Sequence, residues 1–341
     1  MSQSLAVKYR PHEWSDVVEQ DNIKIILQQQ LDSGELQHAY LFCGGAGTGK
    51  TTCARIFANE INHGQGIPIE LDAASHNGVD DVREIIKQAQ LKSLDSEYKI
   101  FIVDECHSIS NTGWQAFLKL LEEPPAKSIF IFCTTDPNRI PKTILSRVQR
   151  YDFQRISQKG IANRLMRILS AEDKIGNSVV KIDEAVEYIA KLSEGGMRDA
   201  ITMLDKCLAY STELTLENVI KAIGVTDYDV MIELLHAITH GYTESMLKII
   251  SDVYYAGKDL KLFIKQFTNF VLDVVKYNLT NSLEYTQIPN TYADRLHDFA
   301  SMGRHLLLVL VKLNSEIKWE TSPKAMIEAT LLLEVNNDRT E

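Results

Sequence analysis

The sequence predicts an α/β domain built on a parallel sheet, followed by a longer region made only of helices. Up to about residue 150, short apolar runs typical of buried strands alternate with amphipathic segments. Such alternation favours a parallel sheet with helices on both faces. Beyond about residue 155 only helical patterns follow. The chain has 341 residues, enough for roughly two or three domains.

Composition narrows the class of protein. Hydrophobic residues make up 45% and charged residues 24%, as in ordinary globular proteins, which excludes disordered, collagen-like and disulfide-scaffold classes. No apolar run approaches the ~20 residues of a membrane span, and no secretory signal is visible. We therefore expect a cytoplasmic protein without membrane contact. The net charge of -10 argues against a chain that binds nucleic acid over its whole surface.

The first half contains four predicted strands and four predicted helices. The strands are typical short apolar runs, at 39–43, 67–71, 99–103 and 128–133. The helices are predicted at 17–31, with Ser15 as N-cap, and at 51–61, 79–92 and 112–121. Later helices are predicted at 157–171, 183–192, 197–210, 215–223, 228–238, 243–255, 259–280, 290–315 and 322–335.

A glycine-rich loop follows the first predicted strand and precedes a predicted helix. It reads Gly44-Gly45-Ala46-Gly47-Thr48-Gly49-Lys50-Thr51 and matches G-x-x-x-x-G-K-[ST]. Glycines let backbone N–H groups curl around phosphates, and the helix N-terminus adds partial positive charge. Lys50 would reach the β- and γ-phosphates and Thr51 would bind Mg²⁺. We assign the loop and the adjacent Thr52 to ATP; the alternative is a glycine-rich turn without a ligand.

A second motif lies at the end of the third predicted strand, where Asp104 and Glu105 follow an apolar run. In such a Walker B arrangement Asp104 would hold Mg²⁺ and Glu105 would orient or deprotonate the attacking water. The alternative is a solvated strand end. His107 completes the string Asp-Glu-Cys-His, which some helicases carry, but the interpretation we favour is a polar residue that opens the next loop.

Further motifs follow in order along the chain. They are Lys8-Tyr9-Arg10-Pro11, Asp72-Ala73-Ala74-Ser75, Leu120-Leu121-Glu122-Glu123-Pro124-Pro125, Thr134-Thr135-Asp136-Pro137 and Ile144-Leu145-Ser146-Arg147. With them the chain resembles the AAA+ clamp-loader ATPases, and most closely the γ/τ subunits of bacterial DNA polymerase III. The resemblance covers about Lys8 to Lys206; beyond 210 it extends only to the general pattern of a helical collar.

The resemblance implies further roles at the phosphates. Arg147 would be an arginine finger that reaches the ATP site of a neighbouring subunit, although Val148 departs from the family's S-R-C motif. Thr134 or Thr135 would be the sensor-1 residue, with Thr134 preferred, and Arg198 would be the sensor-2 arginine of the lid. The alternative for both arginines is an exposed surface position.

The resemblance also assigns an adenine site and a DNA contact. The adenine would pack against the segment that includes Tyr9, Arg10, Pro11, Val17 and Val18, for which plain core packing is the alternative. Ser75, Asn77 and the helix from about Val79 would face DNA through backbone amides, although Asp80 and Asp81 weigh against this.

The chain departs from the bacterial pattern at three places. The segment 59–68 passes straight to the next strand, with His63 its one candidate ligand, so the family's four-cysteine zinc module is not expected. The chain ends at Glu341, like a short form, and Glu19 stands where the family has glycine. These features suggest a phage-encoded or reduced bacterial system.

The expected organisation is an AAA+ core at 1–152, an all-helical lid at 153–211 and an all-helical collar at 212–341. The resemblance implies the motor subunit of a clamp loader that binds ATP and Mg²⁺. Its partners would be other loader subunits in a hetero-oligomer, taken as a pentamer with several copies of this chain, together with a sliding clamp and primer–template DNA. The alternatives are a scaffold subunit that does not hydrolyse ATP and another AAA+ DNA motor, such as a branch-migration helicase.

Overall fold

The computed structural model describes residues 3–76, 78–93, 95–172, 179–224, 228–296, 299 and 304–337. The chain divides into two compact units, Met1–Ala209 and Tyr210–Glu341. The predicted core and all but the last two residues of the predicted lid fall in the first unit. The expected borders at 152 and 211 remain a prediction.

The first unit is built on a five-stranded parallel sheet. Its strands are β1 (Ala39–Cys43), β2 (Ile69–Asp72), β3 (Lys99–Asp104), β4 (Ser128–Thr134) and β5 (Gln149–Asp152). They lie in the order β2-β3-β4-β1-β5, and every neighbouring pair is parallel. The parallel sheet and the four predicted strands are thereby confirmed.

Sequence reasoning missed β5, which pairs with β1 so that Cys43 lies opposite Asp152. The strand reads Gln-Arg-Tyr-Asp and buries only Tyr151. A strand at the edge of a sheet needs few apolar side chains, and its pairing with β1 is a contact over more than 100 residues that local pattern does not encode.

Helices cover both faces of the sheet. In the first unit they are α1 (Leu5–Lys8), α2 (Asp21–Ser33), α3 (Lys50–Ile61), α4 (Val79–Gln90), α5 (Asn111–Glu122), α6 (Lys142–Leu145), α7 (Gln158–Ala171), α8 (Val179–Leu192) and α9 (Met197–Tyr210). The prediction that Ser15 caps a helix was wrong: Ser15 lies inside the 3₁₀ turn Trp14–Asp16, and α2 begins four residues after Val17.

Two apolar cores follow from the alternation of side chains along the strands. In β1, Tyr40 and Phe42 enter one core with Phe57, whereas Leu41 enters the other with Phe117. Burial of both faces explains why β1 and β4 are apolar at nearly every position.

The second unit, within its described residues, consists of helices. They are α10 (Leu216–Ile223), α11 (Tyr228–Thr239), α12 (Thr243–Tyr255), α13 (Leu260–Thr280), α14 (Ala293–Leu296), α15 (Arg304–Glu316) and α16 (Pro323–Asn337). The expected all-helical region is confirmed. The helix predicted over 290–315 is not continuous: it opens with a 3₁₀ turn at Asn290–Tyr292, and 297–298 and 300–303 lie outside the described residues.

The five cysteines are free thiols in buried positions, as expected for small apolar side chains. Among the helices that the structure describes, none combines the length and the hydropathy needed to cross a bilayer.

Candidate functional site

A cavity of about 630 Å³ lies in the first unit at the carboxyl edge of the sheet, beside α7 and α9. Ligands of open parallel sheets bind at this edge, where strand ends and helix N-termini meet. The sequence-predicted residues that line the cavity are Tyr9, Arg10, Pro11, Val17, Val18, Ala46, Gly47, Thr48, Gly49, Lys50, Thr51, Thr52, Asp104, Glu105 and Arg198. Segments far apart in sequence therefore meet at one place.

The loop after β1 holds Lys50 against its own backbone. Lys50 Nζ donates hydrogen bonds to the carbonyl oxygens of Gly44 and Gly45, at 2.7 and 2.8 Å. The residue is only 6% exposed, and burial lowers the pKa of the Lys50 ammonium, although Glu105 and Asp104 partly counteract that shift. A desolvated cation beside backbone N–H groups at a helix N-terminus attracts a polyanion.

Gly47 allows this loop to touch the lid. Its φ is +70°, and a Cβ there would come within 3.0 Å of the Gly196 Cα. The Gly47 carbonyl oxygen accepts a hydrogen bond from the Met197 N–H at 3.0 Å. The first turn of α9, which carries Arg198, is thus fixed directly to the loop, and only glycine fits between them.

Thr51 and Asp104 converge across the gap between α3 and β3. The Thr51 hydroxyl donates to Asp104 Oδ2 at 2.7 Å. Hydroxyl and carboxylate oxygens are the hard ligands that Mg²⁺ prefers, usually with only one or two from the protein. The pair therefore fits a Mg²⁺ ion whose remaining ligands are water and phosphate. Among the described residues, no cluster of three or more His, Cys, Asp or Glu side chains could hold a metal ion.

Glu105 has a left-handed backbone, with φ at +47°, and its side chain faces the end of β4. The Thr135 hydroxyl donates to Glu105 Oε2 at 3.2 Å. Thr134 is fully buried, does not line the cavity, and accepts the Asp136 N–H at 3.0 Å. Of the two threonines, Thr135 is the one in contact with Glu105.

Arg147 does not line the cavity of its own chain. Its guanidinium donates to Glu122 Oε1 and to the Thr143 carbonyl oxygen, each at 2.7 Å, and its side chain is 34% exposed. The short helix α6 holds it on the surface of the first unit. An arginine there is available to another molecule after exchanging one surface ion pair, which is a weak restraint.

Sequence reasoning missed Arg164, which fixes the N-terminal segment to α7. Its guanidinium donates to the Tyr9 carbonyl oxygen at 3.0 Å and to Asp16 Oδ1 at 3.3 Å, and it lines the cavity. The Tyr9 hydroxyl donates to Glu172 at 2.6 Å, and this hydrogen bond raises the pKa of Tyr9. The predicted adenine segment is therefore held by the lid through polar contacts.

Sequence reasoning also missed Arg55 and Glu70, which lie at the cavity. They form an ion pair across the cavity edge, between α3 and β2. Arg55 lies four residues after Thr51, so helical spacing alone places both side chains on one face of α3. That spacing was the available signal.

The predicted DNA-facing segment is only partly described, since Asn77 lies outside the described residues. The Ser75 hydroxyl donates to Asp72 at 3.2 Å. Asp81, in the first turn of α4, accepts the N–H of the N-cap residue Gly78 at 3.1 Å. The DNA contact remains a prediction.

Glu19, the departure from the family's glycine, now has a structural account. Its φ is +56°, and its carboxylate accepts the N–H of Ser157, the N-cap of α7, at 3.1 Å. The next residue, Gln20, bonds both backbone groups of Gln154. The carboxylate interacts favourably with the N-terminus of the lid helix and offsets the left-handed backbone.

Replacing Glu19 tests this account. We expect Glu19→Ala to destabilise the first turn of α7 by about 1 kcal/mol, since the carboxylate that accepts the Ser157 N–H is lost while the left-handed backbone remains. Glu19→Gly should recover most of that loss, because glycine adopts positive φ freely. Hydrogen exchange at the first amides of α7 in the full chain measures the effect of both substitutions. Equal protection in Glu19→Ala and the wild type would contradict the proposed role of the Glu19 carboxylate.

Two family models match two separate regions of the chain. A family model described as DNA polymerase III, delta subunit, matches residues 66–157, and one described as DNA polymerase III subunits gamma and tau domain III matches 214–332. The chain is 32% identical to DNA polymerase III subunit tau of Bacillus subtilis, over 97% of this chain and 62% of that protein. It is also 32% identical to the gamma/tau subunit of Mycobacterium tuberculosis, over 97% of this chain and 63% of that protein. The chain therefore spans about three-fifths of the length of these relatives.

Among solved structures, the chain is similar to RuvB of Thermotoga maritima, described as a Holliday junction branch migration motor. The TM-score is 0.53 with 20% identity, over 74% of this chain and 86% of that one. At this identity the likeness concerns the fold alone.

Proposed function

The chain belongs to the family of DNA polymerase III gamma/tau subunits, and on that premise we propose that it is the ATP-hydrolysing subunit of a clamp loader. The predicted AAA+ fold class, with its helical lid and collar, is confirmed. Loading of a sliding clamp onto primer–template DNA is the proposed activity of the assembly.

The observation that carries the proposal is the convergence of Lys50, Thr51, Asp104 and Glu105 in one cavity. Lys50 and the loop amides would hold the β- and γ-phosphates of ATP, and Arg198 would contact them from the lid. Tyr9, Pro11 and Val18 form an apolar wall at the same cavity, suited to a flat purine.

Thr51 and Asp104 would hold Mg²⁺, which when bound neutralises charge on the phosphates. Glu105 would orient the attacking water and accept its proton. Its anchoring by Thr135 supports this role, because a base that is fixed at one oxygen presents the other in a defined direction.

Completion of the site by a neighbouring subunit is the second part of the proposal. Arg147 lies outside its own cavity, so its guanidinium can serve only a site on another molecule unless the chain rearranges. Hydrolysis in trans would make the rate depend on assembly. A hetero-oligomer, taken as a pentamer with several copies of this chain, would supply the neighbours.

The partners follow from the same proposal: other loader subunits, a sliding clamp and primer–template DNA. ATP binding between core and lid would align the subunits, and completed DNA contacts would trigger hydrolysis and release of the clamp. Differential contacts of ATP with the core and with α9 would make the chain a switch, since a ligand shifts an equilibrium only by its differential affinity.

We expect ATP hydrolysis by the complete assembly to be stimulated by primed DNA and clamp together, and this stimulation to disappear in Lys50→Ala. Phosphate release measured on the assembly checks this, with native mass spectrometry with and without ATP to establish its composition. Equal rates for Lys50→Ala and the wild type would leave only the scaffold alternative. Strand displacement without clamp would favour the branch-migration alternative.

A further inference from the structure

His107 lies beside the proposed catalytic carboxylate. It belongs to the 3₁₀ turn Cys106–Ser108, which follows β3 directly. Because the Glu105 backbone is left-handed, the chain reverses there, and the turn is closed by the Ser108 N–H donating to the Glu105 carbonyl oxygen at 2.9 Å. The reversal returns the His107 ring to the Glu105 side chain. A left-handed residue without a glycine costs on the order of 1 kcal/mol, and such strain persists where surrounding structure imposes it.

The imidazole joins Glu105 to the end of β4. His107 Nδ1 lies 3.2 Å from Thr134 Oγ1, with which it hydrogen-bonds, and 3.3 Å from Glu105 Oε2. The ring is largely enclosed, since its side chain is only 18% exposed. One nitrogen atom therefore lies against both a carboxylate oxygen and the hydroxyl of a fully buried threonine.

Thr134 and Glu105 together indicate which ring nitrogen of His107 carries the proton. An ionised carboxylate only accepts hydrogen bonds, so a lone pair on Nδ1 would repel Glu105 Oε2 at this distance. Thr134 Oγ1 already accepts the Asp136 N–H and retains a second lone pair for a donor. A proton on Nδ1 can donate to Thr134 and places positive charge density 3.3 Å from Glu105 Oε2, whereas the opposite tautomer places a lone pair there.

The contact restricts the Glu105 carboxylate. Oε2 receives the Thr135 hydroxyl and faces the Nδ1–H of His107. With Oε2 occupied from two sides, Oε1 is the oxygen left for a water molecule in the cavity that Glu105 lines. A base fixed in this way needs less reorganisation when the reaction begins.

We propose that His107 is a positioning residue that holds Glu105 in its hydrolytic orientation and joins it to Thr134. The inference rests on the proposed function for the role of Glu105 as base. The role depends only on the contacts of His107 with Glu105 and Thr134 inside the first unit.

Two substitutions test the proposal in the assembled complex. His107→Ala should lower kcat by roughly tenfold to hundredfold, the effect of losing a close polar contact to a charged group, with KM for ATP and the nucleotide Kd unchanged. His107→Asn should restore most of kcat, since its amide nitrogen can place a donor near the position of Nδ1. Ser108→Ala, in the same turn, is the matched control and should leave kcat unchanged.

The outcomes separate positioning from a structural role. An unchanged kcat in His107→Ala, or a rise in KM and Kd that Asn does not rescue, would overturn the proposal. The tautomer of His107, read from its ¹⁵N shifts in the full chain, provides a second measurement that needs no activity. We expect Nδ1–H, and a dominant Nε2–H form overturns the inference. A wild-type complex that fails to hydrolyse ATP counts against the proposed function, while the tautomer still tests the contact.

Discussion

Arg147→Ala should lower ATP hydrolysis by the assembled complex on the order of 10³-fold and leave nucleotide affinity unchanged. The reason is that a guanidinium supplied to the transferring phosphate acts on the transition state, and such residues are worth ~10³ to 10⁵ in rate. Among the described residues, the hydrogen-bond partners of Arg147 are the surface residues Thr143, Ser146 and Glu122. Its loss therefore removes little stability. Single-turnover hydrolysis beside equilibrium nucleotide binding measures both quantities.

A mixing experiment decides whether Arg147 acts in trans. A complex reconstituted from Arg147→Ala and Lys50→Ala chains contains sites with an intact loop next to chains with an intact arginine. Partial recovery of hydrolysis is expected from such sites, whereas two inactive variants that act only in cis would give none. Glu122→Gln is the matched control, because it releases the surface ion pair and keeps the arginine; its rate should equal or exceed that of the wild type.

Lys50→Met should weaken ATP binding roughly hundredfold without lowering the stability of the chain. Loss of a buried charge-assisted contact to phosphate costs about 2–3 kcal/mol, and each 1.4 kcal/mol is a factor of ten. Stability should change little, because the desolvation that lowers the pKa of Lys50 in the folded state opposes the gain from its two hydrogen bonds to Gly44 and Gly45. The folded chain thus binds this proton less well than the unfolded chain, so at neutral pH the charged ammonium opposes folding.

Titration with a fluorescent nucleotide and chemical unfolding of the same samples measure the two effects. Lys99→Met is a suitable control, since Lys99 begins β3 at the end of the strand opposite Asp104 and donates to the Gln88 carbonyl oxygen. That variant should keep the wild-type affinity. A Lys50→Met chain that binds ATP normally would remove the glycine-rich loop from the proposed mechanism.

Local sequence patterns predicted the strands and helices whose formation depends on residues close together in the chain. The strands β1, β3 and β4 are buried along nearly their whole length, so their apolar runs marked them with almost correct ends. The helices α9 and α12 begin and end at the predicted residues. The start of α2 was misplaced because Glu19 and Gln20 both adopt left-handed backbones that long-range contacts stabilise.

The motifs of the site could be predicted from the sequence, but the contacts between their side chains could not. The loop from Gly44 to Thr51 and the carboxylates after β3 have strict local requirements for glycine, lysine and acidic residues, so their types and spacing indicated them. Arg164 lacks such a motif, since its role depends on packing α7 against the N-terminal segment. The contact of Thr135 with Glu105 likewise required the register of β3 and β4.

The sequence by itself determined that the chain has a phosphate loop, an acidic strand end and a mostly helical second half, because backbone conformation and hydrophobic periodicity act over a few residues. Only the tertiary structure decided which side chains meet: Thr51 with Asp104, His107 with Thr134, and Glu19 with the first turn of α7. Each pair joins segments that lie far apart in the sequence, so the packing of the whole unit, which local patterns do not encode, brings them together.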